Sequence, residues 1–207
     1  MPASARLSDP SQSWGGDNAA GSDQGVILVP RPENTEATHT TSRLAPHACL
    51  NVMALDIGSE APDFTLPDQD GTPLTLSSLK GQRVVIYFYP KDDTPGCTKE
   101  ACNFRDQWAA FERHGIRVIG ISKDGASSHA KFIAKYALPF TLLTDPEPCP
   151  VAAAYESYGL KKFMGREYMG MMRHTFVVDA EGQIERIYTK VKAETMADTI
   201  LADLGLS

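Results

Sequence analysis

The most constraining feature of this chain is an apolar run that ends at a proline and is followed by signals for a helix start. The run from Val84 to Tyr89 is rich in β-branched and aromatic residues, which favours a buried strand, and Pro90 ends it. Thr94 is a good N-cap residue, and Pro95 suits the first position of a helix. These residues predict a strand, a short polar loop and a helix that begins at Pro95.

Cys97 would lie in the first turn of this helix. Its sulfur would then be close to backbone N–H groups that have no partner within the helix, at the positive end of the helix dipole. That environment favours the thiolate, which is the nucleophilic form of cysteine. A free cysteine is often no more than a small buried apolar residue. Its position directly after Thr94-Pro95-Gly96 nevertheless makes Cys97 the candidate nucleophile.

Cys102 follows five residues later on the same predicted helix. Five residues rise about 7.5 Å along a helix axis, which places the two Cα atoms about 8–9 Å apart. A disulfide needs Cα atoms within roughly 4.4–6.8 Å of each other. Either Cys97 and Cys102 therefore never pair, or the first turns of the helix unwind when they do.

Composition excludes several classes of protein. The 207 residues suit one domain plus a tail, and the net charge of −6 without a basic block argues against nucleic acid or anionic membranes as partners. No apolar run approaches the length of a membrane span. Four cysteines are too few for a secreted disulfide framework in a chain of this length. We therefore expect a cytoplasmic protein, in which a disulfide is transient and catalytic.

Residues 1–52 are predicted to be a disordered N-terminal extension, because they are rich in Ser, Thr, Gly, Pro, Asn and Asp. Their apolar run, Val26–Val29, could form a short strand, and Cys49 is interpreted as a spare exposed thiol. The segment has no apolar signal-peptide core, and its acidic residues outnumber its arginines, unlike a transit peptide. We hypothesise that translation naturally begins at Met53, where the folded domain, residues 53–207, would start.

Hydrophobic periodicity and breaker residues predict the remaining elements. The predicted strands are a hairpin within 64–75 with its turn at Asp70-Gly71, and the segments 84–89, 116–122, 140–143, 173–179 and 184–189. The predicted helices are 77–79, 95–113, 127–136, 151–158 and 193–204, and residues 160–172 are predicted to form a loop. This alternation predicts an α/β fold with a mixed central sheet flanked by helices.

The pattern Pro90-x-x-x-Thr94-x-x-Cys97 fits the active-site pattern of peroxiredoxins. The longer string Tyr-Pro-Lys-Asp-Asp-Thr-Pro-Gly-Cys-Thr-x-Glu-Ala-Cys, which ends at Cys102, resembles the peroxiredoxin Q subfamily, also called bacterioferritin comigratory protein. The resemblance extends from about Met53 to Ser207. It implies a thioredoxin-like fold with an N-terminal hairpin. It also implies an antioxidant thiol peroxidase for hydrogen peroxide and alkyl hydroperoxides.

The resemblance implies a role for each site residue. Cys97 would become a sulfenic acid, which Cys102 would resolve as an intramolecular disulfide, as in an atypical 2-Cys peroxiredoxin. Pro90 would shield the thiolate from water. The Thr94 hydroxyl would cap the helix and contact the sulfur or a peroxide oxygen.

Arg173 lies in the string Gly-Met-Met-Arg-His-Thr-Phe, which resembles the family segment that supplies the active-site arginine. A guanidinium beside Cys97 would hold the thiolate and orient the peroxide, because it stays charged and presents a fixed fork of donors. The alternative is an ordinary solvated arginine. His174 is not assigned as a base, since along a strand it would point away from the face of Arg173.

The resemblance also implies partners and the lack of a cofactor. Thioredoxin, or alternatively glutaredoxin, would reduce the disulfide, the protein would be monomeric, and no metal, haem or flavin would be needed.

Cys149 remains a minor rival to Cys102. A thiol–disulfide oxidoreductase is a rival activity, weakened by the absence of a Cys-x-x-Cys pair. A redox-sensing or holdase-like binding protein is the non-enzymatic alternative. The methionines of 164–172 either fill gaps or form an apolar rim at the peroxide entrance.

Overall fold

A computed structural model describes residues 55–163 and 165–206, and a five-stranded sheet lies at its centre. The strands are β1 (Thr65–Pro67), β2 (Pro73–Thr75), β3 (Val84–Phe88), β4 (Arg117–Ser122), β5 (Thr141–Thr144), β6 (Tyr158–Phe163), β7 (Arg166–Met171), β8 (Thr175–Val178) and β9 (Ile184–Tyr188). The helices are α1 (Pro95–Asp106), α2 (Trp108–Arg113), α3 (Ala126–Tyr136), α4 (Pro150–Ala154) and α5 (Met196–Asp203), and Leu76–Leu79 forms a short 3-10 helix.

The central sheet is mixed, as predicted. Its strand order is β5-β4-β3-β8-β9, in which β3, β4 and β5 run parallel while β8 is antiparallel to both β3 and β9. All five residues of β3 are buried, which fits an apolar strand in the middle of a covered sheet. The predicted N-terminal hairpin is present as β1 and β2. The loop that follows β3 therefore starts from the central strand of the sheet.

The alternation of side chains along β3 separates two hydrophobic cores. Val85 and Tyr87 pack on one face, in a core that also contains Cys97 of α1. Ile86 and Phe88 pack on the other face, in a core that contains Cys149. The sheet thus lies between the two buried cysteines.

One long predicted helix is in fact two helices. The prediction of a helix over 95–113 is wrong at Gln107, where α1 ends and α2 begins with φ −95° and ψ 6°. The side-chain amide of Gln107 donates a 2.6 Å hydrogen bond to the carboxylate of Asp198 in α5. Phe104 and Phe111 are both buried, so the apolar pattern continues across the break. With no Gly or Pro at this point, periodicity alone could not reveal the interruption.

The predicted helix 151–158 is present but ends too late, and the predicted loop 160–172 is wrong. Helix α4 ends at Ala154, and β6 and β7 then form an antiparallel hairpin in which Leu160 is opposite Met169. Both of these residues are exposed, at 61% and 54%. A strand that buries neither face completely lacks the regular alternation of apolar and polar residues by which strands are recognised. This hairpin therefore has no periodic signal in the amino-acid sequence.

The predicted disordered extension, the run Val26–Val29 and Cys49 lie outside the described residues, so these predictions stand as they were. Within the part of the chain that the structure describes, no helix combines the length and apolar character needed to span a membrane.

Gly120 provides a test of how tightly the first core is packed. This residue of β4 pairs with Tyr87 of β3, and an added Cβ would lie 2.6 Å from Leu142 Cδ2 and 2.7 Å from Tyr87 Cζ. Both neighbours are fully buried, so neither can move away easily. Gly120→Ala should lower the free energy of unfolding by about 1–3 kcal/mol, measured by urea denaturation.

Gly125→Ala is the matched control, since a Cβ there meets nothing within 4 Å and φ is −84°. The lost N-cap preference and the stiffer unfolded chain oppose each other, so the change should stay within about 0.5 kcal/mol. Equal midpoints for both variants would show that the core around Tyr87 adjusts without cost.

Candidate active site

The thiol of Cys97 lies in the first turn of α1, at the carboxyl end of β3. Thr94 is in the N-cap position with extended backbone angles of φ −96° and ψ 151°, and Pro95 is the first helical residue. Cys97 is only 1% exposed. The strand, loop and helix start predicted from the sequence are therefore present, and they place the sulfur at the positive end of a helix.

The guanidinium of Arg173 lies against this sulfur. Its Nη2 donates a hydrogen bond of 3.3 Å to Cys97 Sγ. Arg173 lies just before β8, and because β8 pairs with β3, the sheet brings the arginine next to the end of β3. A Cβ on Gly96 would be 3.1 Å from Arg173 Nη2, so a glycine at this position permits the close approach.

Glu100 is a site residue that was not predicted from the sequence. Its carboxylate is fully buried and accepts a hydrogen bond from Arg173 Nη1. Burial raises the pKa of Glu100 to about 7, although the charge of Arg173 opposes the shift. A glutamate three residues after Cys97 lies on the same face of a helix. Its neighbour Ala101 is also buried, and a charged residue on a buried face was the available signal.

Arg173 is thus held between two groups that can be negatively charged. Burial alone would lower the pKa of Arg173, but Glu100 and Cys97 raise it above its ordinary value. The guanidinium remains a cation with donors in a fixed plane. One nitrogen is directed to the carboxylate and another to the sulfur. The arrangement can stabilise negative charge on the sulfur and on an oxygen bound beside it.

Thr94 and Pro90 flank the loop before α1. The expected cap of the helix by the Thr94 hydroxyl is wrong. The hydroxyl of Thr94 makes no capping hydrogen bond to the helix and instead donates to the carbonyl of Lys91, at 3.1 Å. It is the backbone of Thr94 that begins the helix, since its carbonyl accepts from the N–H of Thr98 at 2.8 Å. Thr94 and Pro90 are both half-buried.

The other two described cysteines occupy different environments. Cys102 is free and partly buried on α1, the helix that also carries Cys97. Cys149 is fully buried in the second core, and burial, aided by Asp145 and Glu147, raises the pKa of its thiol to about 11. The sheet separates Cys149 from Cys97, whereas Cys102 shares its helix. This geometry favours Cys102 over Cys149 as the partner of Cys97.

His174 is directed away from Cys97, as expected from its place next to Arg173. Its Nδ1 lies 3.2 Å from Ser157 Oγ, and its ring packs against Phe176 in the second core. Burial lowers the pKa of His174. Met171 is buried in the second core while Met169 is exposed, so these two methionines do not lie in one apolar cluster. Among the residues described, no three His, Cys, Asp or Glu side chains are grouped to hold a metal ion.

The buried carboxyl of Glu100 predicts a specific dependence of stability on pH. Its pKa is about 7 in the folded protein against 4.5 ordinarily, so folding favours the protonated form. The stability from this protonation is fully present below about pH 4.5 and is lost as the pH rises through about 7. Glu100→Gln cannot lose a proton. Its free energy of unfolding relative to wild type should therefore rise by about 2.5 kcal/mol between pH 5 and pH 8, measured by urea denaturation.

Glu112→Gln is the control, because Glu112 is an exposed glutamate on α2. It should show the same dependence of stability on pH as wild type. A constant difference between wild type and Glu100→Gln across this pH range would contradict the assignment.

Comparisons with known proteins agree with this geometry. The AhpC/TSA family model matches residues 57–187. The chain is 48% identical over 145 residues to a putative peroxiredoxin Bcp of Coxiella burnetii, covering 69% of this chain and 93% of that protein. It is 46% identical over 142 residues to peroxiredoxin Bcp of Bacillus subtilis, covering 69% and 90%.

Among solved structures, the bacterioferritin comigratory protein of Xanthomonas campestris superimposes with a TM-score of 0.67 and 35% identity, covering 73% of this chain and 96% of that chain. A thioredoxin-like peroxiredoxin fold is therefore shown. The chain belongs to the AhpC/TSA family and, within it, to the peroxiredoxins of the Bcp type.

Proposed function

We propose that this peroxiredoxin reduces hydrogen peroxide and organic hydroperoxides at Cys97. The observation that carries the proposal is the 3.3 Å contact between Arg173 Nη2 and Cys97 Sγ at the start of α1. A cation and a helix N-terminus both favour the thiolate, which is the form that attacks a peroxide. Alkyl peroxide reduction is described for the bacterioferritin comigratory protein of Xanthomonas campestris, which supports the same substrate class here.

The proposed first step breaks the O–O bond. The Cys97 thiolate attacks the terminal oxygen of the hydroperoxide, an S–O bond forms, and the electrons of the O–O bond leave with the second oxygen. Arg173 and the backbone N–H groups of the first turn of α1 are donors for the charge on that oxygen. The proton of the hydroperoxide ends on the leaving alcohol or water, or on the sulfenic acid formed at Cys97.

The second step joins Cys97 to Cys102. Both residues lie on α1, and five helical residues separate their Cα atoms by about 8–9 Å, beyond the reach of a disulfide. The first turns of α1 must therefore unwind before the Cys102 thiol displaces water from the sulfenic acid. An external dithiol then reduces the disulfide. We assign this role to thioredoxin, with glutaredoxin as the alternative, for a monomer that works in the cytoplasm.

Cysteine variants test this sequence of steps. Cys97→Ser should abolish peroxide consumption, because a serine hydroxyl is not appreciably ionised. Cys102→Ser should consume about one equivalent of peroxide per chain and then stop, because the sulfenic acid forms but is not resolved. Peroxide consumption is followed with thioredoxin, its reductase and NADPH, and in parallel with glutaredoxin and glutathione.

Cys149→Ser is the matched control and should turn over like wild type, since Cys149 is buried in the opposite core. Normal turnover by Cys102→Ser with thioredoxin would eliminate Cys102 as the resolving residue. Exchange of disulfides in a substrate protein without any consumption of peroxide would favour the rival thiol–disulfide oxidoreductase.

Arg173→Lys tests the contact with the sulfur. Lysine keeps the charge but loses the planar fork that serves Glu100 and Cys97 together. The rate constant for oxidation of Cys97 should fall by about 10²-fold, which is the common cost of one preorganised donor. The measurement is stopped-flow oxidation of the reduced protein by hydrogen peroxide.

Arg83→Lys is the control for this substitution, because Arg83 also pairs with a carboxylate, that of Glu185, at 2.6 Å. Arg83 lies just before β3, at the opposite end of the strand from Pro90. Its rate constant should equal that of wild type. If Arg173→Lys also reacts at the wild-type rate, the arginine takes no part in the chemistry.

A further inference from the structure

Asp92, in the middle of the loop between β3 and α1, is held by three separate parts of the fold. It is 6% exposed, and both of its carboxylate oxygens are engaged. Oδ1 accepts from the Tyr89 hydroxyl at 2.7 Å, and Oδ2 lies 2.9 Å from His129 Nδ1 on α3. The backbone N–H of Asp92 donates to Asp124 Oδ2 at 2.6 Å. The loop is therefore fixed at this residue to its own strand, to α3 and to the segment before α3.

The hydrogen bond between His129 and Asp92 has a clear direction. Burial would raise the pKa of Asp92, but its hydrogen bonds, above all that from His129, hold the pKa below its usual range. The carboxyl is thus ionised at neutral pH and can only accept. His129 Nδ1 therefore carries the hydrogen, and the ring donates to Asp92.

The other ring nitrogen of His129, Nε2, makes no hydrogen bond to the described residues. The side chain is fully buried. Burying an unpaired polar atom destabilises a fold, so an apolar side chain would suit this core position better if packing were its whole purpose. His129 Nδ1 also lies 3.4 Å from the Tyr89 hydroxyl, which itself donates to Asp92, so the shorter hydrogen bond to Asp92 accounts for the ring.

Asp92 lies between two residues of the proposed reaction site. Pro90 precedes it by two positions and Thr94 follows it by two, and Asp93 between them has φ +52°. That left-handed backbone is unfavourable for a residue other than glycine, and here it directs the chain into α1. Fixing Asp92 therefore fixes where Pro90 and Thr94 lie relative to Cys97.

We propose that Asp92 and His129 are positioning residues for the reaction of Cys97 with peroxide. Their hydrogen bond holds the loop from Pro90 to Thr94 in the geometry that the attack requires. The inference rests on the proposed function at Cys97. It concerns the alignment of the peroxide, and neither residue touches the reacting atoms.

Two nearly isosteric substitutions of His129 separate positioning from packing. His129→Asn keeps a donor close to the place of Nδ1, whereas His129→Leu has similar branching and no donor. The rate constant for oxidation of Cys97 by hydrogen peroxide should fall about 10- to 100-fold in His129→Leu, since misplacement by about 1 Å can cost ~10²-fold. His129→Asn should recover most of this loss. Oxidation is followed by stopped flow, and the product is identified by mass spectrometry.

Alkylation by iodoacetamide supplies the second measurement, because it needs a thiolate at Cys97 but no aligned peroxide. The ratio of the peroxide rate to the alkylation rate at Cys97 should fall in His129→Leu. A merely structural role would change both rates together. Tyr136→Phe is the control, since it removes a 2.6 Å hydrogen bond from α3 to Asp93 on the exposed side of the same loop. This variant should keep the wild-type ratio.

Each other outcome overturns the inference. A wild-type ratio in His129→Leu shows that the loop needs no such anchor, and an equally low ratio in His129→Asn shows that the donor is not the cause. If His129→Leu does not fold, His129→Met takes its place, because it also lacks a donor to Asp92 Oδ2, and an unchanged ratio there is equally decisive. If wild-type Cys97 does not react with peroxide, the proposed function itself fails. If it does react and the ratio is unchanged, only the positioning role fails.

Discussion

The site depends on one guanidinium that is shared between a buried carboxylate and a sulfur. Arg173 is buried enough that its charge would be costly without partners, and Glu100 and Cys97 supply them from the same face of α1. The pairing of β8 with β3 sets the distance, because it brings Arg173 to the strand end from which α1 starts. A shift of β8 by one residue would turn Arg173 to the other face of the sheet and remove it from the sulfur.

The packing that protects Cys97 also prevents it from reaching Cys102. The first turn of α1 packs Cys97 into the first core at 1% exposure, while Cys102 remains partly buried further along the helix. In the proposed cycle, attack on peroxide needs the intact turn, and the disulfide needs its unwinding. The free energy that stabilises the start of the helix therefore favours the first step and opposes the second. The proposed positioning hydrogen bond between His129 and Asp92 limits this conflict, because it holds the loop before α1 but not α1 itself. The loop can therefore stay in place while the helix opens.

The sequence predicted the elements whose signals are local. Thr94, Pro95 and the apolar run before them were enough to place Cys97 at a helix start, because capping and strand preferences act over a few residues. Arg173 was placed by resemblance, and the pairing of β8 with β3 supplies the physical reason. The hairpin of β6 and β7 was missed because its side chains are mostly exposed and show no regular alternation. The capping role of the Thr94 hydroxyl was wrong because the carbonyl of Lys91 takes its hydrogen bond.

Glu100 and His129 were missed for another reason, which shows where such residues can be found. Each is a polar residue among the buried positions of its helix, Glu100 beside Cys97, Ala101 and Phe104 in α1, and His129 beside Phe132 in α3. A polar group in such a place is stable only with a partner, and the partner comes from a distant part of the chain, Arg173 in one case and Asp92 in the other. Periodicity marks these positions as buried but cannot name the partner. A polar residue on the inner face of a helix beside a candidate nucleophile is therefore a sequence signal in its own right, and the fold is needed to show what it binds.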